Sequence, residues 1–158
     1  MEDDCIACAL SAGRRPLPGG LLHRTENWLV EHCVGPLGLG TLIVKPERHV
    51  TAVADLSPAE AAELGPLLQQ ASWVAGQLVD ADQVYNCLWS HAGGAPGHIH
   101  YVIQPVTRQQ MTAHDGHGPR LQMAMFGTGI TPDAGDVATI ADQARRLFAL
   151  SGKTVRLT

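Results

Sequence analysis

The chain has 158 residues, enough for a single domain to bury about two-thirds of its unfolded surface, and its four cysteines are too few for a disulfide scaffold. A formal charge of −4, with 16% charged residues and no basic run, argues against a nucleic acid polymer or an anionic membrane as partner. The opening "MEDDC" is acidic where a signal peptide is basic, and no apolar stretch approaches the ~18 residues that span a bilayer, so a soluble cytoplasmic protein is expected.

Residues 1–20 carry Cys5-x-x-Cys8, compatible with a short helical turn, and then "GRRPLPGG", which cannot continue a helix. The segments "LLHRTENWLVEHC" and "TLIVKPERHV" are rich in Leu, Val and Ile. They predict two adjacent strands joined across "VGPLGLG". Ser57, Pro58 and Glu60 form a capping box with proline at the first helical position, ahead of a long apolar periodicity to about residue 80 that Pro66 should bend. "QVYNCLWS" and "HIHYVIQP" predict two more strands flanking the glycine-rich turn "HAGGAPG". Beyond Pro105 a helix is expected at "PRLQMAMF" and another from Thr131-Pro132-Asp133 to about Gly152. The class is α+β: an antiparallel sheet with a long helix across one side and a helical tail.

On the strand "GHIHYVIQP", His98 and His100 are two apart and share one face, while Ile99 and Tyr101 look away. Cys5, Cys8, His49 and His98 make a set that suits tetrahedral zinc. The distances from the Cys pair to His49 and His98 are not those of a zinc finger, so two unrelated thiols and unrelated histidines fit the spacing equally well. A redox Cys-x-x-Cys fits less well, because no strand of a βαβ unit precedes it.

"GHIHYVIQP" resembles the motif of the histidine-triad (HIT) superfamily, with His98 and His100 as its first two histidines, Val102 where the third belongs, and Pro105 closing the register. "GLGTLIVKPERHV" resembles the family's strand ending in Pro-x-x-His, here Pro46 to His49. The likeness spans residues 5–106. It implies a HIT-like fold in one domain: a zinc-binding segment over 1–20, a core over 21–106 and a helical extension over 107–158. It further implies a structural zinc on Cys5, Cys8, His49 and His98, and His100 as the nucleophile that attacks the α-phosphorus of a nucleotide-like substrate. The activity implied is that of a hydrolase or nucleotidyl transferase acting on a phosphoanhydride, phosphoramidate or dinucleoside polyphosphate.

The departures fall on the phosphate contacts. Val102 cannot donate a hydrogen bond, and Gly94-Ala95-Pro96 stands where the family places polar residues. Candidate replacements are Gln104, one pleat along from Val102, and Ser90 and His91 at the mouth of the glycine-rich turn, whose Gly93 and Gly94 could offer backbone N–H groups. Asn86 resembles the family's strand asparagine near the phosphate. Cys33 and Val34 stand near the family's ribose-holding acid, leaving Glu31 or His32 for that role. "HDGHG" at 114–118 reads as a polar loop, and Cys33, Cys87, Trp28, Trp73 and Trp89 as core residues. A homodimer is expected, because Leu64, Leu67 and Leu68 lie to one side of the long helix and Trp73 and Val74 further round. The rival to the enzyme is a non-catalytic, zinc-stabilised ligand- or partner-binding module on the same scaffold.

Overall fold

The computed structural model describes residues 5–92 and 94–154. Helix α1 (Ile6–Ser11) begins at Cys5, whose Sγ accepts the Cys8 N–H at 3.5 Å. The stretch expected as one strand folds as two, β1 (Leu21–Arg24) and β2 (Trp28–His32). Thr25 closes the turn between them: its Oγ1 accepts the Trp28 N–H at 3.1 Å and its own N–H donates to the Trp28 carbonyl at 3.0 Å. After β3 (Leu42–Pro46), helix α2 (Pro58–Val79) runs through Pro66 as one element. The proline's missing N–H leaves the Ala62 carbonyl unpaired within the helix, but both residues are exposed and water can serve it.

Strands β4 (Gln83–Ala92) and β5 (Ala95–Val106) form a long hairpin. The glycine-rich segment expected as a broad turn is therefore mostly strand, with Ala95, Pro96 and Gly97 inside β5; Gly93 lies outside the described residues. A further helix, α3 (Arg108–Ala113), follows, begun by a Thr107/Gln110 capping box. Helices α4 (Gly118–Gly127) and α5 (Ala134–Thr154) complete the chain, and "HDGHG" forms the turn between α3 and α4.

The five strands make one antiparallel sheet in the order β1-β2-β3-β5-β4. Alternation sorts its side chains. One face carries Trp28, Val30, Leu42, Val44 and Ile103, packed with Leu67, Ala71, Val74 and Leu78 of α2 and Ile140, Ala144 and Phe148 of α5. The second apolar side of α2, expected to need another copy of the chain, is thus covered in part by α5, where Gln70 Nε2 donates to Ser151 Oγ at 2.8 Å. Trp73 remains 44% exposed. The opposite face carries Glu31, Cys33, Ile43, Lys45, His98, His100, Val102 and Trp89, beneath α1 and α4. No helix among the described residues is long and apolar enough to cross a membrane.

Two loops that flank the sheet are locked from the α2 side. Gly40 has φ +87°, a region glycine enters without strain, and its N–H donates to His32 Nε2 at 2.9 Å. A Cβ there would meet Val79 at 3.0 Å. At the start of α2, Glu60 accepts from Arg48 Nε at 2.7 Å and from the Ser57 N–H at 2.6 Å, while its carbonyl accepts the buried Trp28 Nε1–H at 3.0 Å. This ties the residue beside His49 to the helix.

The Arg48 guanidinium, with help from Ser57, holds the Glu60 carboxyl down at about 2. Its folded value lies below its unfolded one, so the contribution is present above about pH 4.5 and is lost as pH falls toward 2. Glu60→Gln is expected to cost about 1–2 kcal/mol at pH 7 and to flatten the fall in stability across that acid window. Urea unfolding at pH 7, 4.5 and 3 measures both.

Candidate functional site

One helical turn separates Cys5 from Cys8 and brings both sulfurs to the same side of α1, facing the end of β3 and the start of the histidine strand. Cys8 Sγ lies 3.4 Å from His49 Nδ1 and 3.4 Å from His98 Nδ1, and Cys5 Sγ lies 3.9 Å from His98 Nδ1. All four donor atoms fall within 4.8 Å of one another. A tetrahedron with Zn–S near ~2.3 Å and Zn–N near ~2.0 Å places its ligands about 3.3–3.8 Å apart, so the donor set fits zinc. The tautomer fits too: His98 Nε2–H donates to the Pro46 carbonyl at 2.9 Å, leaving Nδ1 as the ligand atom. Burial pushes the His98 imidazole down to about 4 against the pull of that carbonyl, so it is neutral near pH 7, as a metal ligand must be. His114 and His117 belong to no such group among the described residues.

His100 stands two residues along the same strand. Its Nδ1–H donates to the His98 carbonyl at 3.0 Å, which leaves Nε2 as the nitrogen with an available lone pair. It lines a cleft of about 870 Å³ that runs from α1 to Phe126 of α4. Trp89, its register partner on β4, forms the wall beside it, with ring centroids 6.3 Å from His100 and 5.5 Å from Phe126. Trp89 is therefore a cleft residue and not a core one. Trp28 alone of the three tryptophans is fully buried.

The remaining candidates divide. His91 lines the cleft, together with Ala95, Pro96 and Gly97. Ser90 sits at the register shift between Trp89 and His91 and is not in the cleft lining. Gly94 is at the exposed hairpin tip with φ +84°. Asn86 pairs in register with Ile103 and so looks to the α2 face, where its Nδ2 donates to Ser72 Oγ at 3.0 Å; it cannot reach a phosphate beside His100. Gln104 shares the face of His100 but is wholly buried, its Nε2 donating to the Leu37 carbonyl at 3.1 Å and to Met125 Sδ at 3.3 Å, so it does not replace the contact that Val102 lacks. Val102, 1% exposed, packs with Cys33, Leu37 and Ile43 and makes this part of the cleft apolar. His32 is fixed on the other face, donating from Nδ1 to the Cys33 carbonyl at 2.8 Å.

Burial pushes the Cys33 thiol up to about 11, and Cys87 Sγ donates to Gln122 Oε1 at 3.2 Å. Both remain small packing residues. Glu31, a candidate for the ribose-holding acid, lies instead at the floor of the cleft in a pair that nothing in its neighbours announces: Lys45 Nζ donates to Glu31 Oε1 at 2.7 Å with both side chains buried.

No protein-family model matches the chain, and no curated protein does. Solved structures do. A zinc-bound histidine triad family protein from Mycobacterium smegmatis is 19% identical with a TM-score of 0.69, the match covering 98% of this chain and 99% of that one. A hypothetical histidine triad nucleotide-binding protein from Sulfolobus tokodaii is 17% identical, TM-score 0.69, over 92% of this chain and 93% of that one. A hypothetical protein from Leishmania major is 30% identical over 69% of this chain and 77% of its own, with a TM-score of 0.57.

Proposed function

Because this chain has the histidine-triad fold, we propose that it is a zinc-bearing, nucleotide-processing enzyme, a hydrolase or nucleotidyl transferase whose nucleophile is His100. The observation that supports this most directly is the bond from His100 Nδ1–H to the His98 carbonyl, which leaves Nε2 to attack from the cleft wall. Nε2 forms a bond to the α-phosphorus of a phosphoanhydride or phosphoramidate as the leaving group departs with the electron pair of the broken bond, a phosphoramidate nitrogen taking a proton from solvent so that it leaves as the neutral amine. The His98 carbonyl stabilises the positive charge that develops on the ring. Water then attacks phosphorus, the P–Nε2 pair returns to the imidazole, and the water's proton passes to solvent.

Zinc on Cys5, Cys8, His49 and His98 would be structural, since four protein ligands leave no open position. The unlinked cysteines favour the cytoplasm. A covalent nucleotidyl adduct on His100, trapped with a panel of nucleotides and read by mass, tests the proposal; full turnover with no adduct on any histidine would refute this mechanism.

One observation favours the second reading, a non-catalytic ligand-binding module: Val102, Asn86 and Gln104 offer a bound phosphate nothing in the cleft. Val102→Gln supplies one donor on the face of His100. If that contact alone limits the reaction, activity toward ordinary nucleotide phosphoramidates should rise ~10–100-fold. No gain, with a wild type inert toward every substrate tried, would favour the module.

The protein is also proposed to pair as a homodimer. Trp73 on α2 and Leu88 on the edge strand β4 are 44% and 41% exposed, and β4 leaves one side of its backbone unpaired within the sheet. Sedimentation at micromolar concentration should give twice the 16.8 kDa chain mass, and a monomer would reject it.

A further inference from the structure

At the α1 end of the cleft lies a buried ion pair that the proposed chemistry does not use. Lys45 is 0% exposed, and its Nζ donates to the Ala7 carbonyl at 2.9 Å and to Glu31 Oε1 at 2.7 Å. An ammonium has three donors, so one Lys45 N–H is left over. Glu31 is 3% exposed, and its Oε2 has no hydrogen-bond partner among the described residues. A buried carboxylate oxygen without a donor is costly, and burial correspondingly pushes the Glu31 carboxyl up against the opposing pull of Lys45. The chain thus holds an unmet acceptor beside an unused donor, both on residues that line the cleft.

Their surroundings favour a flat heterocycle. Ile6, Leu10, Cys33 and Ile43 make the nearby lining apolar. The sheet also sets a span. Ile43 is the register partner of both Glu31 and Val102, so Glu31 lies two strands from Val102, and His100 lies two residues further along β5. Strand spacing and rise then separate the Cα atoms of His100 and Glu31 by about 12 Å. That is the reach of a nucleoside 5′-monophosphate from phosphorus to the far edge of its base.

We propose that Glu31 and Lys45 read the base. Glu31 Oε2 accepts from an N–H on the base edge, and the remaining Lys45 N–H donates to the adjacent acceptor. The ligand class is then nucleotides whose base pairs a donor with a neighbouring acceptor, as 6-aminopurines and 6-oxopurines do and unsubstituted purine does not. This rests on the nucleotide-processing reading of the His100 site. Glu31 also borders a second cavity of about 470 Å³ behind α1, from which water could satisfy the oxygen instead, and the experiment separates the two.

Calorimetric titration of the zinc-loaded full chain with the 5′-monophosphates of adenosine, inosine and purine riboside supplies the test. Adenosine and inosine monophosphate should bind about 10–100-fold more tightly than the purine riboside compound, which lacks the donor. In Glu31→Gln the amide oxygen takes the bond from Lys45 Nζ and turns the NH2, a donor, to where Oε2 accepted, which should erase or reverse that ratio. The double variant Glu31→Leu/Lys45→Leu removes the pair without stranding a charge, guards against misfolding, and should also bring the ratio near one. Equal binding of all three ligands by the wild type, or a ratio that survives in either folded variant, overturns the inference and leaves the nucleotide reading standing. Failure of the wild type to bind any of the three at millimolar concentration overturns both.

Discussion

Replacing His100 with alanine or glycine is expected to lower kcat by at least ~10³-fold while leaving the fold, the metal content and most of the ligand affinity in place. The asymmetry follows from position. The ring makes its structural hydrogen bond only to the carbonyl of His98, and the cleft walls are built from other residues. Binding of the ground state draws on those walls, whereas the phosphorus–nitrogen bond draws on Nε2 alone. Unchanged turnover in His100→Ala would remove the nucleophile, and a variant that also lost its metal would mean that His100 had been misassigned as independent of it.

Cys5→Ser, Cys8→Ser and His98→Ala should behave in the opposite sense, costing about 3–5 kcal/mol and lowering Tm by roughly 10 °C before any effect on chemistry is considered. Each removes a ligand from a set whose members come from α1, from the loop after β3 and from β5, so the loss unfastens three separate parts of the chain. Chelator titration of the wild type, followed by thermal unfolding and metal analysis, should reproduce the shift at about one zinc per chain. If the wild type holds no metal and the serine variants melt with it, the quartet is only an arrangement of thiols and imidazoles.

What the sequence makes legible here depends on how local the deciding interaction is. The i, i+3 cysteines, the i, i+2 histidines and the Ser57/Glu60 box are read from neighbours, and all stand as expected. The Thr107/Gln110 box was equally local and would have announced α3. Asn86 went to the wrong face because which side a strand residue takes depends on the register of the hairpin, and a shift of one residue reverses it. Gln104 had the right face but is sealed by Leu37 and Met125, an event decided by the loop after β2 and by α4, not by its own strand. Lys45 looks on paper like a surface cation; it is buried only because α1 folds over it and offers the Ala7 carbonyl.

That last contact gives α1 two employments at once. The helix carries both sulfurs of the quartet, and with Ile6, Ala7 and Leu10 it is also one wall of the cleft, fastened from below by Lys45. Filling the two places would then be thermodynamically linked if both are used, and linkage is reciprocal. A nucleotide seated against α1 should tighten the equilibrium hold on zinc, read as the chelator concentration that strips it, by the same free energy with which zinc sharpens the hold on the nucleotide. The metal centre of such a protein would act as a latch whose affinity for its ion reports whether the cleft is filled.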